Sequence, residues 1–291
     1  MQKVLILGSS GLLGKHLYEN LKTNKNIEIF HTGLKKRKIN FDNKIELKKF
    51  IFATNPNLII NCAAYTNIEE CEKNIKMSKK INVEIIRQIF KLKYQKKMKF
   101  NFIQLSTDLF YNKNKLNSSK ENSKIFLINN YCKHKREAEK ICIKNKALIL
   151  RTNFFGKSMG KKKSFSDWIY KVFKNKNKDK IFLFNDVYFN PLRINTIVKI
   201  ISFIINKRKI KLSGIYNLGA KDAIFKNEFA ILFAKKTGIF HKNYANINVN
   251  KLLSVKRSTN MYMNVNKFEK KFKLKLPNIK NEIINEAKKY L

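Results

Sequence analysis

Apolar and polar positions alternate in blocks over the first half of the chain. VLIL reads as a strand and runs into a helix from about Leu12 to Lys22. IEIF reads as a second strand. A helix around Lys44 to Thr54 leads through Pro56 to LIINCAA, a further strand. From about Met77 to Tyr94 the period is helical, because Ile81, Ile85, Ile86, Ile89 and Phe90 share one face. FNFIQLS is the next strand, Asn130 to Asn145 the next helix, and ALILRT the strand after it. Strands alternating with helices imply right-handed crossovers and a parallel sheet covered on both faces.

Beyond Arg151 the pattern loosens. GKSMGKKKS is a glycine and lysine loop, and DWIYKVFKNK resembles a short amphipathic helix. IFLF and GIYNLGA are short strand candidates. Lys226 to Thr237 has a helical period, with Phe229, Ile231, Leu232 and Phe233 apolar, and NEIINEAKKYL reads as a terminal helix. These later segments are expected to form a small lobe closing over the carboxyl edge of the sheet, where ligands bind in such folds.

Composition changes this picture little. A chain of 291 residues, 44% hydrophobic, can bury a full core and carry a second lobe. The opening apolar stretch is short and glycine-broken, unlike a secretory leader, and IVKIISFII is interrupted by Lys199 and too short to span a bilayer. A cytoplasmic protein with no membrane partner is expected. Cys62, Cys71, Cys132 and Cys142 form no C-x-x-C pair, and His16, His31, His134 and His241 are scattered, so no metal site is expected. The net charge of +43 would by itself suggest nucleic acid. Lysine is spread along the whole chain instead of concentrating in one arm, and there is no aromatic-basic stripe, so no specific nucleic-acid partner is expected. Anionic small molecules should be attracted.

Candidate chemistry begins at the first strand, which runs into Gly8-Ser-Ser-Gly11-Leu-Leu-Gly14. A tight turn needs a residue without Cβ, and close approach of backbone to a pyrophosphate needs another. The helix that follows presents free N–H groups to the anion. Ser10, Leu12 and Leu13 lie within this turn. The spacing differs from G-x-G-x-x-G, but its placement between strand and helix favours a bound dinucleotide in a doubly wound, Rossmann-type α/β fold. After the second strand, IEIFHTGLKKRK offers His31, Thr32, Lys35, Lys36 and Arg37 with no acid after Glu28. An acid there would hold ribose hydroxyls and repel a 2′-phosphate, so NADPH is expected, with NADH as the alternative.

Tyr131 and Lys135 lie four residues apart, one turn along one helix face. A free tyrosine titrates near pH 10, roughly, and a neighbouring ammonium stabilises its phenolate. Thr107 ends an apolar strand 24 residues upstream of Tyr131. Its hydroxyl can donate to a carbonyl oxygen on which negative charge develops. A nucleotide turn, a hydroxyl acid and an ammonium together point to hydride transfer on a carbonyl or alcohol. Taken singly, Tyr131 could be a half-buried helix residue, Lys135 a solvated lysine, Thr107 a strand-end cap and Asp108 a turn cap. Arg151 could fix a loop or pair with an acid, and Trp168 could anchor the small lobe.

These residues resemble the extended short-chain dehydrogenase/reductase superfamily and, within it, the dTDP-4-dehydrorhamnose reductase group. NPNLIINCAAYTNIEECE, LSTDLFY, NNYCKHKREAE, LILRTNFFG, NDVYFNP and GIYNLGAKDAIFKNEFA carry the resemblance over nearly the whole chain. It implies NADPH-dependent reduction of a nucleotide-linked 4-keto-6-deoxysugar, with Thr107, Tyr131 and Lys135 catalytic and Lys135 also holding the nicotinamide ribose. It places Asn40, Phe41, Ala63, Ala64 and Tyr65 at the cofactor, and Thr66, Thr107, Asp108, Asn153 and Phe154 at the substrate. Residues 1–152, with sheet additions from about 181–220, would form the NADP-binding domain. Residues 153–180 and 221–291 would form the substrate-binding lobe. A homodimer is compatible with this reading.

The chain departs from the group at three places. Asn40 stands where an acid near adenine is common, Phe154 where a tryptophan is usual, and Phe189-Asn190-Pro191 where a glycine-serine-proline segment is usual. An epimerase or dehydratase of the same superfamily is an alternative, but Asp108-Leu109 lacks the added acid pair of dehydratase-like relatives. A non-catalytic NADP-binding regulatory subunit is a further alternative, against which the intact Thr107, Tyr131 and Lys135 argue.

Overall fold

The first apolar run becomes β1 (Gln2–Leu7), whose last four residues are fully buried. The computed structural model describes residues 1–33, 43–112, 116–175, 180–207 and 211–291. After β1 come α1 (Leu12–Leu21), β2 (Ile27–His31), α2 (Lys44–Thr54) and β3 (Leu58–Asn61). Then follow α3 (Ile68–Lys73), α4 (Ile75–Lys79), a π-helical turn (Lys80–Glu84), α5 (Ile85–Gln95) and β4 (Asn101–Thr107). The fold continues through α6 (Asn130–Lys144), β5 (Leu148–Thr152), β6 (Phe154–Phe155), α7 (Phe165–Lys174) and β7 (Ile181–Phe184). Next are β8 (Tyr188–Phe189), β9 (Leu192–Arg193), α8 (Ile194–Asn206) and β10 (Gly214–Leu218). The chain closes with β11 (Ile224–Phe225), α9 (Lys226–Lys236), β12 (Tyr244–Ile247), α10 (Val249–Leu252), α11 (Asn266–Phe272) and α12 (Ile279–Ala287).

The chain divides into two compact units. The first comprises residues 1–106, 129–150 and 198–215, and the second residues 107–128, 151–197 and 216–291. A six-stranded sheet in the order β10-β5-β4-β3-β1-β2 organises the first, and the pairings through β2, β1, β3 and β4 are parallel. Such strands are apolar on both faces because helices cover both. One face packs Leu5, Leu7 and Ile59 against Leu47 and Ile51 of α2, Ile86, Ile89 and Phe90 of α5, and Ala138 and Cys142 of α6. β1 lies between β2 and β3, so the strand order reverses there. The crevice at the carboxyl ends of β1 and β3 is the position where such sheets bind ligands.

The elements read from periodicity in the first half are present, with one addition. The helix expected from Met77 begins at Ile75, and a separate short helix, α3, precedes it from Ile68. Each of the two starts is set by an asparagine cap: Asn67 accepts from Glu70 N–H and Asn74 from Met77 N–H. LIINCAA stops being strand at Asn61, whose side chain accepts the Ala63 N–H and turns the chain out of the sheet.

The second unit holds three two-stranded pairs, β6 with β9, β8 with β11, and β7 with β12. Its core is aromatic: Phe229 packs against Phe155, Phe165, Phe189 and Phe233, with ring centroids 4.7–6.4 Å apart. Among the described residues no helix is long and apolar enough to cross a membrane, and no cluster of three or more His, Cys, Asp or Glu could hold a metal.

Candidate active site

The glycine turn follows directly from β1. Gly8 has φ +77°, and a Cβ there would stand 2.7 Å from the Ala63 backbone, so both conformation and space require glycine. A Cβ at Gly14 would stand 2.3 Å from the Gly8 carbonyl oxygen, so the helix start sits directly on the turn. Gly11 is the N-cap of α1 at φ −72°, with no side-chain cap and no acid in the first turn. The positive end of a ten-residue helix is therefore left without a competing carboxylate. A dinucleotide pyrophosphate fits this cradle. Leu13 is buried, so it can offer a ligand only its backbone, while Ser10 is exposed.

The end of β2 supports the turn. Thr32 is fully buried; its hydroxyl accepts from Gly8 N–H at 3.1 Å, and its carbonyl accepts from Ser9 N–H and Ser9 Oγ at 2.9 and 2.7 Å. His31 lies edge-on to Tyr18 at 4.7 Å, with Nδ1 3.5 Å from Ser9 Oγ. Gly33 was not singled out from the sequence. It has φ +103°, and a Cβ there would stand 2.9 Å from Ser10 Oγ. Its signal was a glycine just past a strand that abuts the fingerprint. Lys35, Lys36, Arg37, Asn40 and Phe41 lie outside the described residues.

Beyond β3, Ala63, Ala64 and Tyr65 are half-buried and Thr66 is exposed. The Asn82 side chain holds both backbone groups of Tyr65, each at 3.0 Å, from the π-helical turn. Such turns are frequent at functional sites. Asn82 is bonded in turn to Ser78, which pairs with His134 Nδ1 at 2.8 Å. Sequence reading missed this support because nothing local marks Asn82.

Helix α6 carries the tyrosine–lysine pair. Its N-cap Asn129 accepts from Cys132 N–H, and Glu72 of α3 accepts from both the backbone and side chain of Asn130. Tyr131 and Lys135 are 7% and 3% exposed, so Lys135 is not a solvated surface lysine despite the lysine-rich chain. Lys135 Nζ donates to the Leu105 carbonyl at 2.5 Å, and Gln104 Nε2 donates to the same oxygen at 2.7 Å. Gln104 Oε1 accepts from Asn61 Nδ2 at 2.9 Å, and Asn61 Oδ1 accepts the Ala63 N–H. A buried polar chain thus runs from the glycine turn's neighbour to the lysine's anchor. Burial pulls the Lys135 ammonium down to about 8, while Glu139, Cys142 and Cys62 act to raise it.

In the second unit, Thr107 Oγ1 accepts from Leu109 N–H at 3.2 Å and donates to Asp108 Oδ1 at 3.5 Å. The residue does cap the strand end, and those bonds fix its hydroxyl. Asp108 is buried and accepts from Asn153 Nδ2 at 2.8 Å. Burial pushes its carboxyl up to about 6, against the Asn153 bond and the charge of Lys226. Lys226 itself lies 5.6–5.7 Å from the rings of Phe165 and Phe189. Phe154 is half-buried in β6. Arg151 is fully buried and bonds Tyr111 OH at 2.7 Å and the Glu121 carbonyl at 3.0 Å, so it pins the segment after Asp108. Asn190 is a buried knot, bonding backbone groups of Ala220 and Met263. Trp168 is 40% exposed and stacks on Phe165 at 5.8 Å.

A parallel sheet with this order and a glycine turn at its reversal point defines a Rossmann-type fold. The chain belongs to the RmlD substrate binding domain family, whose model matches residues 1–291. A curated relative, the dTDP-4-dehydrorhamnose reductase of Aggregatibacter actinomycetemcomitans, is 28% identical over 156 residues. That match covers 53% of this chain and spans about half, 52%, of the relative. Two solved structures named dTDP-4-dehydrorhamnose reductase share the fold over the full length. The one from Bacillus anthracis, in complex with NADP, has a TM-score of 0.87 at 20% identity and covers 100% of both chains. The one from Clostridium acetobutylicum has a TM-score of 0.86 at 22% identity and covers 99% of both.

Proposed function

We propose that this protein reduces a nucleotide-linked 4-keto-6-deoxysugar with NADPH, as its family relatives' names suggest. One observation carries the reading: a buried Tyr131–Lys135 pair, its lysine anchored on the Leu105 carbonyl, lies in the unit that holds the glycine turn. Residues 1–152, with additions from about 181–220, serve as the cofactor domain, and 153–180 with 221–291 as the substrate lobe.

The backbone of Gly8, Ser10, Gly11, Leu12, Leu13 and Gly14 holds the pyrophosphate, and His31, Thr32, Lys35, Asn40 and Phe41 serve the adenosine end. Ala63, Ala64 and Tyr65 line the nucleotide, and Lys135 holds the nicotinamide ribose. NADPH, when bound, supplies the hydride. Tyr131 gives its proton to the carbonyl oxygen, so hydride and proton together convert C=O to CH–OH. Lys135 as ammonium stabilises the phenolate left behind. Thr107 donates a hydrogen bond to the same oxygen. Thr66, Asp108, Asn153 and Phe154 contact the sugar.

A panel of nucleotide-linked 4-keto sugars, offered with NADPH and with NADH and followed by absorbance of the reduced nicotinamide, tests the reading. Oxidation of NADPH by at least one sugar is expected; no oxidation with any sugar and either cofactor sinks it.

Two further outcomes follow from the site. Lys135→Met lowers both turnover and NADPH affinity, since one ammonium serves both. In the wild type the ammonium is present below about pH 8 and lost above it, so kcat/KM falls as pH rises through that value. A profile flat to pH 10 removes Lys135 from the mechanism. Changing Lys35, Lys36 and Arg37 together to Ala weakens NADPH more than NADH, because the 2′-phosphate is the difference between the ligands. An unchanged ratio of the two dissociation constants places the basic run away from that phosphate.

A further inference from the structure

Helix α6 carries a third buried functional group in register with the first two. Tyr131, Lys135 and Glu139 are spaced by four residues, so they form one stripe along the helix. Glu139 is fully buried, and Lys135 is 3% exposed. A buried carboxylate is costly unless paired, and Arg136 Nη1 bonds Glu139 Oε2 at 2.9 Å. That guanidinium is 26% exposed, so it remains partly hydrated while its partner lies in the interior.

We propose that Glu139 is a positioning residue, a buried carboxylate one turn beyond Lys135 that keeps the lysine in its ammonium form at neutral pH. This rests on the reductase reading for its catalytic consequence, but not for its electrostatic one. Three groups act on Lys135 in the direction of the ammonium: Glu139 with the largest effect, then Cys142 on α6 and Cys62 after β3. Burial pushes the Cys62 thiol up to about 12 and the Cys142 thiol higher still, so both are neutral at pH 7. Leu105 O and Gln104, from β4, present dipoles but no charge. Glu139 is therefore the carboxylate that offsets the burial of Lys135. Without it, the same interior would favour a neutral amine, which cannot stabilise a phenolate.

The test uses the full-length protein with 13Cε-labelled lysine, the Lys135 signal being identified as the one missing in Lys135→Met. In Glu139→Gln, which keeps shape and an acceptor for Arg136, the Lys135 midpoint is expected to fall by about one pH unit. In Glu139→Asp, which retains the charge, most of the wild-type midpoint is expected to return. An unmoved midpoint in Glu139→Gln overturns the proposal, whatever the activity. At pH 7.5 a one-unit fall leaves roughly a quarter of the lysine charged instead of roughly three quarters, so turnover should drop about threefold. The alkaline limb of the pH profile should move down with it, and a loss of turnover that is the same at every pH would mean a packing role only. A moved midpoint in a protein that oxidises NADPH with no keto sugar sinks the reductase reading and leaves the effect of Glu139 on Lys135 standing.

Discussion

Tyr131→Phe is expected to lower turnover by about 10²–10⁴-fold while leaving NADPH affinity and thermal stability close to wild type. The substitution removes one hydroxyl and keeps the ring. Tyr131 is 7% exposed at the start of α6, so its packing persists. The helix start is held by Asn129 and Glu72, neither of which depends on the phenol. Steady-state kinetics with the active keto sugar, NADPH fluorescence titration and a thermal melt separate the outcomes. Turnover near wild type would show that the proton comes from elsewhere. A parallel loss of NADPH affinity and melting temperature would mean the residue serves the fold.

Gly14→Ala is expected to damage the cofactor domain itself. The added Cβ would stand 2.3 Å from the Gly8 oxygen, 2.9 Å from its carbon and 3.0 Å from Ser9 Cα. All three are backbone atoms, so no side-chain rotation relieves the clash. The turn must move off the helix, at a cost of about 1–3 kcal/mol or more. The same movement pulls Gly8 away from Ala63, so NADPH affinity should fall by at least about tenfold, a loss of about 1.4 kcal/mol. Gly11→Ala is the matched control for stability, because φ is −72° there and the nearest contact for a Cβ is the Gly8 oxygen at 3.2 Å. It should melt closer to wild type. If Gly14→Ala melts with the wild type and binds NADPH equally well, the turn has freedom that its geometry does not suggest.

Much of the fold is legible along the chain, because strand and helix periods are properties of consecutive residues. The runs VLIL and FNFIQLS are apolar throughout since both faces of a parallel sheet are covered, and both became strands of that sheet. The stripe Ile85, Ile86, Ile89 and Phe90 became the buried face of α5. The spacing of Tyr131 and Lys135 also survives unchanged, since a helix maps four residues onto about one turn. The short helix α3 was hidden because six residues are too few to show a helical period, and its start is set by the Asn67 cap.

By itself the sequence determined the alternation of elements, the glycine turn at the end of β1, and the order of Thr107, Tyr131 and Lys135. Tertiary structure alone decided which of many lysines is buried, since Lys135 is set apart only by its place between α6 and the Leu105 carbonyl. The same holds for the placing of Gly33 beside Ser10, the chain from Ala63 through Asn61 and Gln104 to Leu105, the support of Tyr65 by Asn82, and the pinning of Tyr111 and Glu121 by Arg151. The physical reason is one of range. Periodicity and turn chemistry act between neighbours in the chain, whereas the pairs that join these segments, Tyr65 with Asn82, Leu105 with Lys135, Tyr111 with Arg151 and Asn61 with Gln104, are 17 to 43 residues apart. Asn61 and Gln104 meet because β3 and β4 pair with these two residues opposite each other, and a slip of one residue would turn either side chain to the other face.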